Sequence, residues 1–510
     1  MEGTEMEKYI CIHGHFYQPP REDPWTEKIE EQKDAAPFHD WNERITYECY
    51  EPNTSSRILE EERIVDVVNN FEKISFNFGP TLFTWLSRKH PETYRKIIDA
   101  DKISADKNEG YGSAIAQAYN HMIMPLANHK DKETQVYWGI RDFEFRFKRK
   151  PLGMWLPETA VDTATLEELA KQEIRFTILS PEQAGAVRKS GSDSWIKVNT
   201  NSLDKSRPYC CKLPSGRSII LFFYNGKVSH DVAFNGLLKD GKMFADHLLE
   251  AFDNNNIGLE LSHIATDGET YGHHHRHGDM ALAFCLYYIE KYKKARLSNY
   301  AHFLNMNPAD HEVKIRENTS WSCSHGIERW RSNCGCKGTN ESHIHQKWRK
   351  PLRDAFDFLR DDIDNIFVVQ MKKLTHADPW DLRNKYISVI LDRSEENILE
   401  FLKKYAGIET GREEMIRMLE LLEMQKHAMF MYTSCAWFFD DISDTGTVQI
   451  IAYATRACQL AEKFTKRKLF PAFLTKLAKA KGNFRDYPDA RVLFEKLVKP
   501  RIKDIDVFAL

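Results

Sequence analysis

Two acidic residues lie at the end of a β-compatible run near the middle of the chain. The segment Leu259–Thr266 leads directly into Asp267, Gly268 and Glu269, and a group of histidines, His273–His277, follows. Side chains on a turn that follows a strand can meet a ligand without being covered by a helix. We therefore expect Asp267 to take part in any chemistry that this chain performs.

Another carboxylate, Glu158, lies near the end of an earlier strand-like segment, Lys150–Ala160. Trp155 and Pro157 give Glu158 apolar neighbours, whereas Asp267 stands beside another carboxylate and several imidazoles. Unlike surroundings separate the pKa values of two carboxyl groups, as an acid and a nucleophile require. Two carboxylates at strand ends of one face are the minimum apparatus for cleaving a glycosidic bond. Each also has an ordinary interpretation, because glutamate after proline often starts a helix and Asp-Gly often forms a turn.

Seven strand-like segments alternate with helical ones in the first part of the chain. They cover residues 9–16, 73–80, 112–117, 150–160, 175–179, 218–224 and 259–266. This order predicts the α/β class, with a (β/α)7 barrel-like catalytic domain whose site lies at the carboxyl ends of the strands. His13 and His15 are two residues apart in the first strand and point to one face. We expect them to lie close to Glu158 and Asp267.

Helical periodicity marks other segments of the chain. Ile64–Phe71 and Thr81–Ala100 are predicted to be helices, and the second has core candidates at Leu82, Trp85, Leu86, Ile97 and Ile98. From about residue 340 the pattern is helical with charged outer faces, over 348–374, 384–406, 412–431 and 445–468. We expect two domains, a barrel-like domain over 1–310 and a mainly α-helical region over 311–510 that packs on it.

Charge and cysteine content limit the partners and the compartment. The formal net charge is −3, from 72 basic and 75 acidic residues that are well mixed along the chain. This balance argues against a nucleic acid or an anionic membrane as partner. The first eight residues contain no apolar leader segment, and ten cysteines without a secretory signal suit a reducing compartment. We expect a cytoplasmic protein, and the sequence does not fix its oligomeric state.

Four motifs occur in one order along the predicted barrel. They are His13–His15 with Gln18–Pro19, His121–Pro125, Gly153–Glu158 and Thr266–Glu269. This ordered set resembles glycoside hydrolase family 57, a group of retaining enzymes that act on α-glucans. Its catalytic domain is a (β/α)7 barrel followed by helices, and the helical region here resembles a less characterised branch. One departure is that Phe16 and Tyr17 separate His15 from Gln18, where the family pattern sets glutamine next to the second histidine.

The resemblance implies a role for each motif residue. Glu158 would be the nucleophile that forms a glycosyl-enzyme, and Asp267 would be the general acid/base. The implied substrate-binding residues are His13, His15, His121, Trp155, Trp321 and His325, of which the last two lie in a segment that matches the family only loosely. The implied substrate is an α-glucan or maltooligosaccharide with α-1,4 or α-1,6 linkages, which would be hydrolysed or transferred. No metal and no cofactor is expected for this chemistry.

Two other functions fit parts of the same sequence. His273 and His277, with Asp279 and Asp267 and the paired histidines of the first strand, form a candidate ligand set for Zn²⁺. That set would suit a metal-dependent carbohydrate deacetylase-like hydrolase. A non-catalytic glucan-binding protein is the third hypothesis, although the presence of both expected carboxylates argues against it.

Three cysteines and a histidine follow the predicted barrel. Cys323, Cys334, Cys336 and His325 are an allowed ligand set for a structural zinc ion. Their spacing lacks the usual Cys-x-x-Cys pairs, and buried free thiols are the alternative interpretation.

Overall fold

The computed structural model describes residues 7–252, 258–407 and 411–505, so most of the polar amino-terminal segment lies outside the described residues. The chain forms two compact units, and each is assembled from several segments. The first contains the chain up to Gln18 with Glu31–Gln117 and Phe143–Glu317, and the second contains Pro19–Glu30, Ala118–Asp142 and the chain from Asn318.

Seven parallel strands form the centre of the first unit. They are β1 (Lys8–Phe16), β2 (Ser75–Phe78), β3 (Ala116–Gln117), β4 (Met154–Trp155), β5 (Phe176–Leu179), β6 (Ser218–Phe223) and β7 (Glu260–Asp267). β1 pairs with β7 and β2, β3 with β4, and β5 with β6. Single parallel bridges join Phe76 of β2 to Ala114, just before β3, and Gly153, just before β4, to Phe176 of β5. The Asn225 N–H after β6 donates to the His263 carbonyl of β7 at 2.8 Å. The seven predicted strands are therefore present and neighbour one another in chain order.

The strands are short and almost continuously buried, as expected for parallel strands that are covered on both faces. Four further strands extend the β5–β6 pair into a six-stranded mixed sheet, in the spatial order Tyr209–Lys212, His311–Ile315, Ala184–Lys189 and Ile196–Lys197. A short strand, Arg296–Leu297, pairs with the start of β1.

Helices connect the strands of the first unit. They include Trp41–Ile45, Pro80–Lys89, Pro91–Lys107, Thr163–Lys171, Gly226–Phe234, Gly241–Leu249, Gly278–Lys291 and Tyr300–Met306, and residues of the helix His129–Phe147 fall in both units. The helix predicted over Thr81–Ala100 is present, but it is broken at His90 because Pro91 starts a new helix. Its five predicted core residues are all buried.

The prediction of a helix over Ile64–Phe71 is wrong. Ser56–Glu60 and Arg63–Val68 instead form an antiparallel hairpin. Ile64, Val65 and Val67 are exposed on this hairpin. Their β-branched side chains favour extended backbone, but because neither face of the strand is buried here, the sequence lacks the alternation of apolar and polar residues that marks a strand.

The second unit is mainly helical, as predicted for the carboxyl-terminal part of the chain. Its principal helices are Arg349–Leu374, Pro379–Lys385, Ile387–Leu391, Glu395–Phe401, Arg412–Phe430, Thr445–Glu462, Phe470–Leu477 and Ala490–Leu493. The segment predicted as one helix over 384–406 is divided into several pieces. None of the helices in the described parts of the chain has the length and apolar character that a membrane span requires.

Gly272 lies where the loop after β7 crosses another stretch of backbone. A Cβ atom at this position would stand 2.4 Å from the Glu48 carbonyl oxygen and 2.7 Å from the Cys49 Cα. Because backbone atoms cannot move aside as a flexible side chain can, we expect Gly272→Ala to destabilise the protein by about 1–3 kcal/mol. The midpoint of urea denaturation should fall accordingly.

Gly338→Ala is the matched control, since its Cβ would make an ordinary contact at 3.6 Å with the Asp440 Oδ2. A Gly272→Ala midpoint equal to that of the wild type would contradict the close approach.

Candidate active site

Strand register brings three of the motif side chains to one edge. His15 is the Cα partner of Asp267 in β7 on one side and of Asn77 in β2 on the other. On the neighbouring pair, Trp155 of β4 is in register with Gln117 of β3. The carboxyl ends of these parallel strands therefore gather imidazole, amide and carboxyl groups in the first unit.

Glu158 sits on a strained turn directly after β4. Its backbone has φ 57° and ψ 21°, and the next residue, Thr159, also has a positive φ of 49°. Left-handed backbone costs a non-glycine residue about 1–3 kcal/mol and persists only where its surroundings fix it. Here the Thr159 N–H donates to the Leu156 carbonyl at 2.8 Å, and the Gln183 Nε2 donates to the Thr159 carbonyl at 2.8 Å. The turn holds the half-buried Glu158 side chain at the strand end.

An aromatic and amide cluster lies beside this turn. Trp155 stacks on both His13 and His15, with ring centroids 4.9 and 5.0 Å apart. Asn77 joins the two imidazoles, because its Oδ1 lies 3.1 Å from His13 Nε2 and its Nδ2 lies 2.9 Å from His15 Nδ1. The same Nδ2 donates to Gln117 Oε1 at 2.8 Å.

The two histidines of β1 are neutral at physiological pH. Burial lowers the pKa of both His13 and His15 to about 3, and for His13 the neighbouring His15 adds to the effect. Both imidazoles can therefore donate and accept hydrogen bonds without bringing a positive charge to the strand ends.

Asp267 lies at the end of β7 and keeps solvent access. Its pKa is raised well above the ordinary value, first by desolvation and then by the charges of Glu269 and Glu158. The raised pKa favours the protonated carboxyl, which is the state that a general acid needs.

Glu269 is buried, and its hydrogen bonds hold the loop after β7 in place. Its Oε1 accepts hydrogen bonds from the Tyr50 hydroxyl at 2.6 Å and from the Tyr17 N–H at 3.0 Å. Burial raises the pKa of Glu269 to about 7, although these hydrogen bonds oppose the shift. At Gly268 a Cβ atom would lie 2.3 Å from the Phe16 ring, so glycine is required for the loop to pass β1 this closely.

The histidine group after this loop is dispersed. His273 Nδ1 hydrogen-bonds the Glu48 carboxylate, His275 Nε2 lies 2.9 Å from the Ala233 carbonyl, and Asp279 accepts from the Ser56 hydroxyl at 2.7 Å. Within residues 7–252, 258–407 and 411–505, the side chains that could share one metal ion are Cys323, His325, Cys334 and Cys336. The donor set of the deacetylase hypothesis is therefore not assembled.

The remaining predicted site residues belong to the second unit. His121 has a positive φ of 57°, and its Nδ1 lies 2.6 Å from the Ser434 hydroxyl. The Trp330 Nε1 donates to the Ser434 carbonyl at 3.2 Å. Trp321 is half-buried, whereas His325 is exposed and its Nδ1 lies 3.5 Å from the Cys336 Sγ.

Sequence reasoning missed Asn77, Gln117 and Ser434. A signal existed for Asn77, because Ser75 and Asn77 alternate with phenylalanines in β2 and so face one side of the strand. No comparable pattern marks Ser434, which reaches His121 through the tertiary fold.

Family models match both parts of the chain. The model of glycosyl hydrolase family 57 matches residues 10–320, and a domain of unknown function (DUF3536) matches residues 344–510. Alpha-amylase 1 of Dictyoglomus thermophilum is 26% identical over 106 residues, which cover 21% of this chain and 15% of that enzyme. The aligned part is therefore a small share of this relative.

Solved structures resemble the chain over most of its length. An exo-type maltose-forming amylase from Pyrococcus sp. ST04 superposes with a TM-score of 0.71 at 16% identity, covering 93% of this chain and 83% of that chain. A family 57-type branching enzyme from Pyrococcus horikoshii gives a TM-score of 0.56 at 15% identity, with coverages of 98% and 97%. At this identity the two structures establish the shared fold.

Proposed function

The chain belongs to glycosyl hydrolase family 57, and on that premise we propose that it is a retaining enzyme that hydrolyses or transfers α-glucans. The observation that carries the proposal is the pair of carboxyl groups at two strand ends of the first unit. Glu158 is fixed on a left-handed turn after β4. Desolvation, the charge of Glu269 and the charge of Glu158 together raise the pKa of Asp267 at the end of β7. A carboxylate close to a carboxyl group whose raised pKa favours its protonated form is what acid-assisted nucleophilic displacement at a sugar carbon requires.

In the proposed reaction the Glu158 carboxylate attacks the anomeric carbon of the bound glucan. The bond from that carbon to the leaving oxygen breaks, and protonated Asp267 gives its proton to this oxygen. Asp267, now ionised, then removes a proton from water or from a sugar hydroxyl, whose oxygen displaces Glu158 from the anomeric carbon. Two inversions at this carbon give net retention. Water yields hydrolysis and a sugar hydroxyl yields transfer.

The imidazole and amide cluster supports substrate binding in this proposal. Neutral His15 offers hydrogen bonds to sugar hydroxyls, and Trp155 holds it in place by stacking. His13 has both ring nitrogens within 3.1 Å of Ser75 and Asn77 side-chain atoms, so we assign its contribution to orienting this cluster. We retain the second-unit residues His121, Trp321 and His325 as substrate-binding candidates on the family resemblance alone.

Support for the substrate class comes from the family and from the names of the similar proteins, which include amylases and a branching enzyme. We also propose a cytoplasmic location, supported by the free state of all ten cysteines.

The proposed function is tested by following purified protein on a panel of α-1,4 and α-1,6 glucans with time-resolved proton NMR. Retention predicts that the α-anomer of the new reducing end appears first and mutarotates afterwards. The double variant Glu158→Gln/Asp267→Asn, purified in the same way, controls for contaminating amylase. First appearance of the β-anomer, or equal rates for the wild type and the double variant, would overturn the proposal.

The charge of Glu269 should be visible in the pH dependence of activity. Because a general acid works in its protonated form, kcat/KM falls as pH rises through the raised pKa of Asp267. Glu269→Gln removes one of the charges that raise this pKa and keeps an oxygen acceptor for Tyr50 and Tyr17. We therefore expect the alkaline limb of the kcat/KM profile to move to lower pH.

Glu182→Gln is the control for this profile, because Glu182 is an exposed carboxylate after β5 that does not contribute to the pKa of Asp267. An alkaline limb that stays in place in Glu269→Gln, or moves to higher pH, would contradict the assignment of that limb to Asp267.

A further inference from the structure

A compact group of three thiols and one imidazole lies in the second unit. The Sγ atoms of Cys323, Cys334 and Cys336 and a ring nitrogen of His325 all lie within 4.8 Å of one another. The Sγ atoms of Cys323 and Cys336 are 3.7 Å apart, and the Cys336 Sγ is 3.5 Å from the His325 Nδ1. Residues from two sides of a loop thus point their donor atoms at one place.

These separations match the edges of a tetrahedral zinc site. With Zn–S bonds of about 2.3 Å and a Zn–N bond of about 2.0–2.1 Å, a tetrahedral angle sets S···S at about 3.8 Å and S···N at about 3.6 Å. A disulfide would instead hold its sulfur atoms at about 2.05 Å. The Sγ atoms of Cys323 and Cys336 are therefore spaced like two ligands of one ion and lie further apart than the atoms of a disulfide.

A buried guanidinium beside the group lacks a carboxylate partner. Arg349 is 0% exposed and donates to the Cys334 Sγ at 3.8 Å and to the carbonyls of Cys336, Phe438 and Phe439 at 3.0–3.4 Å. Across the described ranges of the chain, no aspartate or glutamate forms an ion pair with Arg349. A buried charge needs compensation, and three thiolates around Zn²⁺ carry a net charge of −1. An N–H donor to a ligating sulfur is also a usual support of such sites.

We propose that Cys323, His325, Cys334 and Cys336 bind one structural Zn²⁺ ion. The three thiols lose their protons to solvent on binding, and neutral His325 contributes a nitrogen lone pair. Because four protein ligands fill the coordination sphere, the ion has no open position for water or substrate and acts on structure. This assignment does not depend on the proposed glycosidase activity.

The ion would fix a long segment that has little regular structure. Between residues 318 and 348, which are all described, the one regular element is the short 3-10 helix Glu328–Trp330. Loops of this length in a compact protein need an internal constraint or a function. Trp330 follows the first two ligands, donates to the Ser434 carbonyl and accepts from the Arg353 Nε at 2.8 Å. Since Ser434 also holds His121, the ion would stabilise the position of this predicted site residue.

The test uses the full-length protein, purified without chelators from cells grown with added zinc. Elemental analysis should find about one zinc ion per chain that survives dialysis, as expected for a closed four-ligand site. Cys336→Ser should lower the zinc content about tenfold or more, because ligand loss weakens binding beyond the 10–100-fold typical of supporting residues. Cys210→Ser, which removes a half-buried thiol of the first unit, should keep the full content.

A second measurement covers the case in which Cys336→Ser does not fold. In the wild type, Cys323, Cys334 and Cys336 should resist alkylation until a chelator is added, and Co²⁺ replacing Zn²⁺ should give a thiolate-to-cobalt charge-transfer band. Zinc-free wild-type protein, full zinc content in Cys336→Ser, or a disulfide between any two of these cysteines would overturn the proposal. Each of these measurements is made without substrate, so the zinc proposal is tested independently of the outcome of any glycosidase assay.

Discussion

Replacing Glu158 by glutamine is expected to lower kcat on maltooligosaccharides by about 10⁴-fold, the scale seen when an enzyme loses one member of its catalytic group. The amide cannot displace a sugar oxygen, so no glycosyl-enzyme forms. Glutamine has nearly the same size and can occupy the same half-exposed turn, so the fold should survive. Initial rates and far-UV circular dichroism measure the two effects, and Glu182→Gln serves as a control at the end of β5.

A small external nucleophile distinguishes lost chemistry from lost structure. In Glu158→Ala, azide can enter the space of the carboxylate and attack an activated α-glucosyl fluoride once. The product should be the β-glucosyl azide, because a single displacement inverts the anomeric carbon. Near wild-type turnover in Glu158→Gln, or α-glucosyl azide from Glu158→Ala, would contradict the nucleophile assignment.

Asp267→Asn is expected to lower kcat on glucans by about 10³-fold, within the range for loss of a general acid/base. The effect should depend on the leaving group, because fluoride departs without a proton and a sugar oxygen does not. With α-glucosyl fluoride the first displacement should continue and hydrolysis of the glycosyl-enzyme should become limiting. Azide should then accelerate turnover and give the α-glucosyl azide, which records two inversions.

Asp231→Asn is the matched control for this variant, since Asp231 is a half-exposed aspartate of the same unit that accepts a hydrogen bond from Asn235. Equal losses of Asp267→Asn on fluoride and on glucans, with no response to azide, would contradict a proton-transfer role for Asp267.

Much of the barrel-like unit could be predicted because its strands carry strong local signals. In β1 the apolar run Tyr9–Ile12 precedes His13 and His15, and in β7 a β-compatible segment ends at Asp267, so the position and the functional end of both strands are visible in the sequence. The hairpin strand Arg63–Val68 was not predictable in this way, because Ile64, Val65 and Val67 are exposed and their spacing resembles that of a helix.

Residues of the candidate site could be predicted where they follow a strand. Properties that depend on tertiary contacts could not be predicted from the sequence. Asp267 and Glu158 belong to the first group. The raised pKa of Asp267 belongs to the second, because it arises from desolvation in the folded chain and from the charges of Glu269 and of Glu158, which is distant in sequence. The sequence pattern also cannot reveal that His273 and His275 hydrogen-bond to separate partners. These separate contacts are the reason that the histidine group does not form the predicted metal site.

The most direct test of the central proposal is to trap the covalent intermediate. Incubating the wild type with a fluorinated α-glucosyl fluoride, whose second displacement is slow, and sequencing the labelled peptide by mass spectrometry identifies the nucleophile. We predict a single glycosyl adduct on Glu158 that is absent from Glu158→Gln and accumulates in Asp267→Asn. A label on Asp267 or Glu269, or turnover with inversion and no adduct, would contradict it.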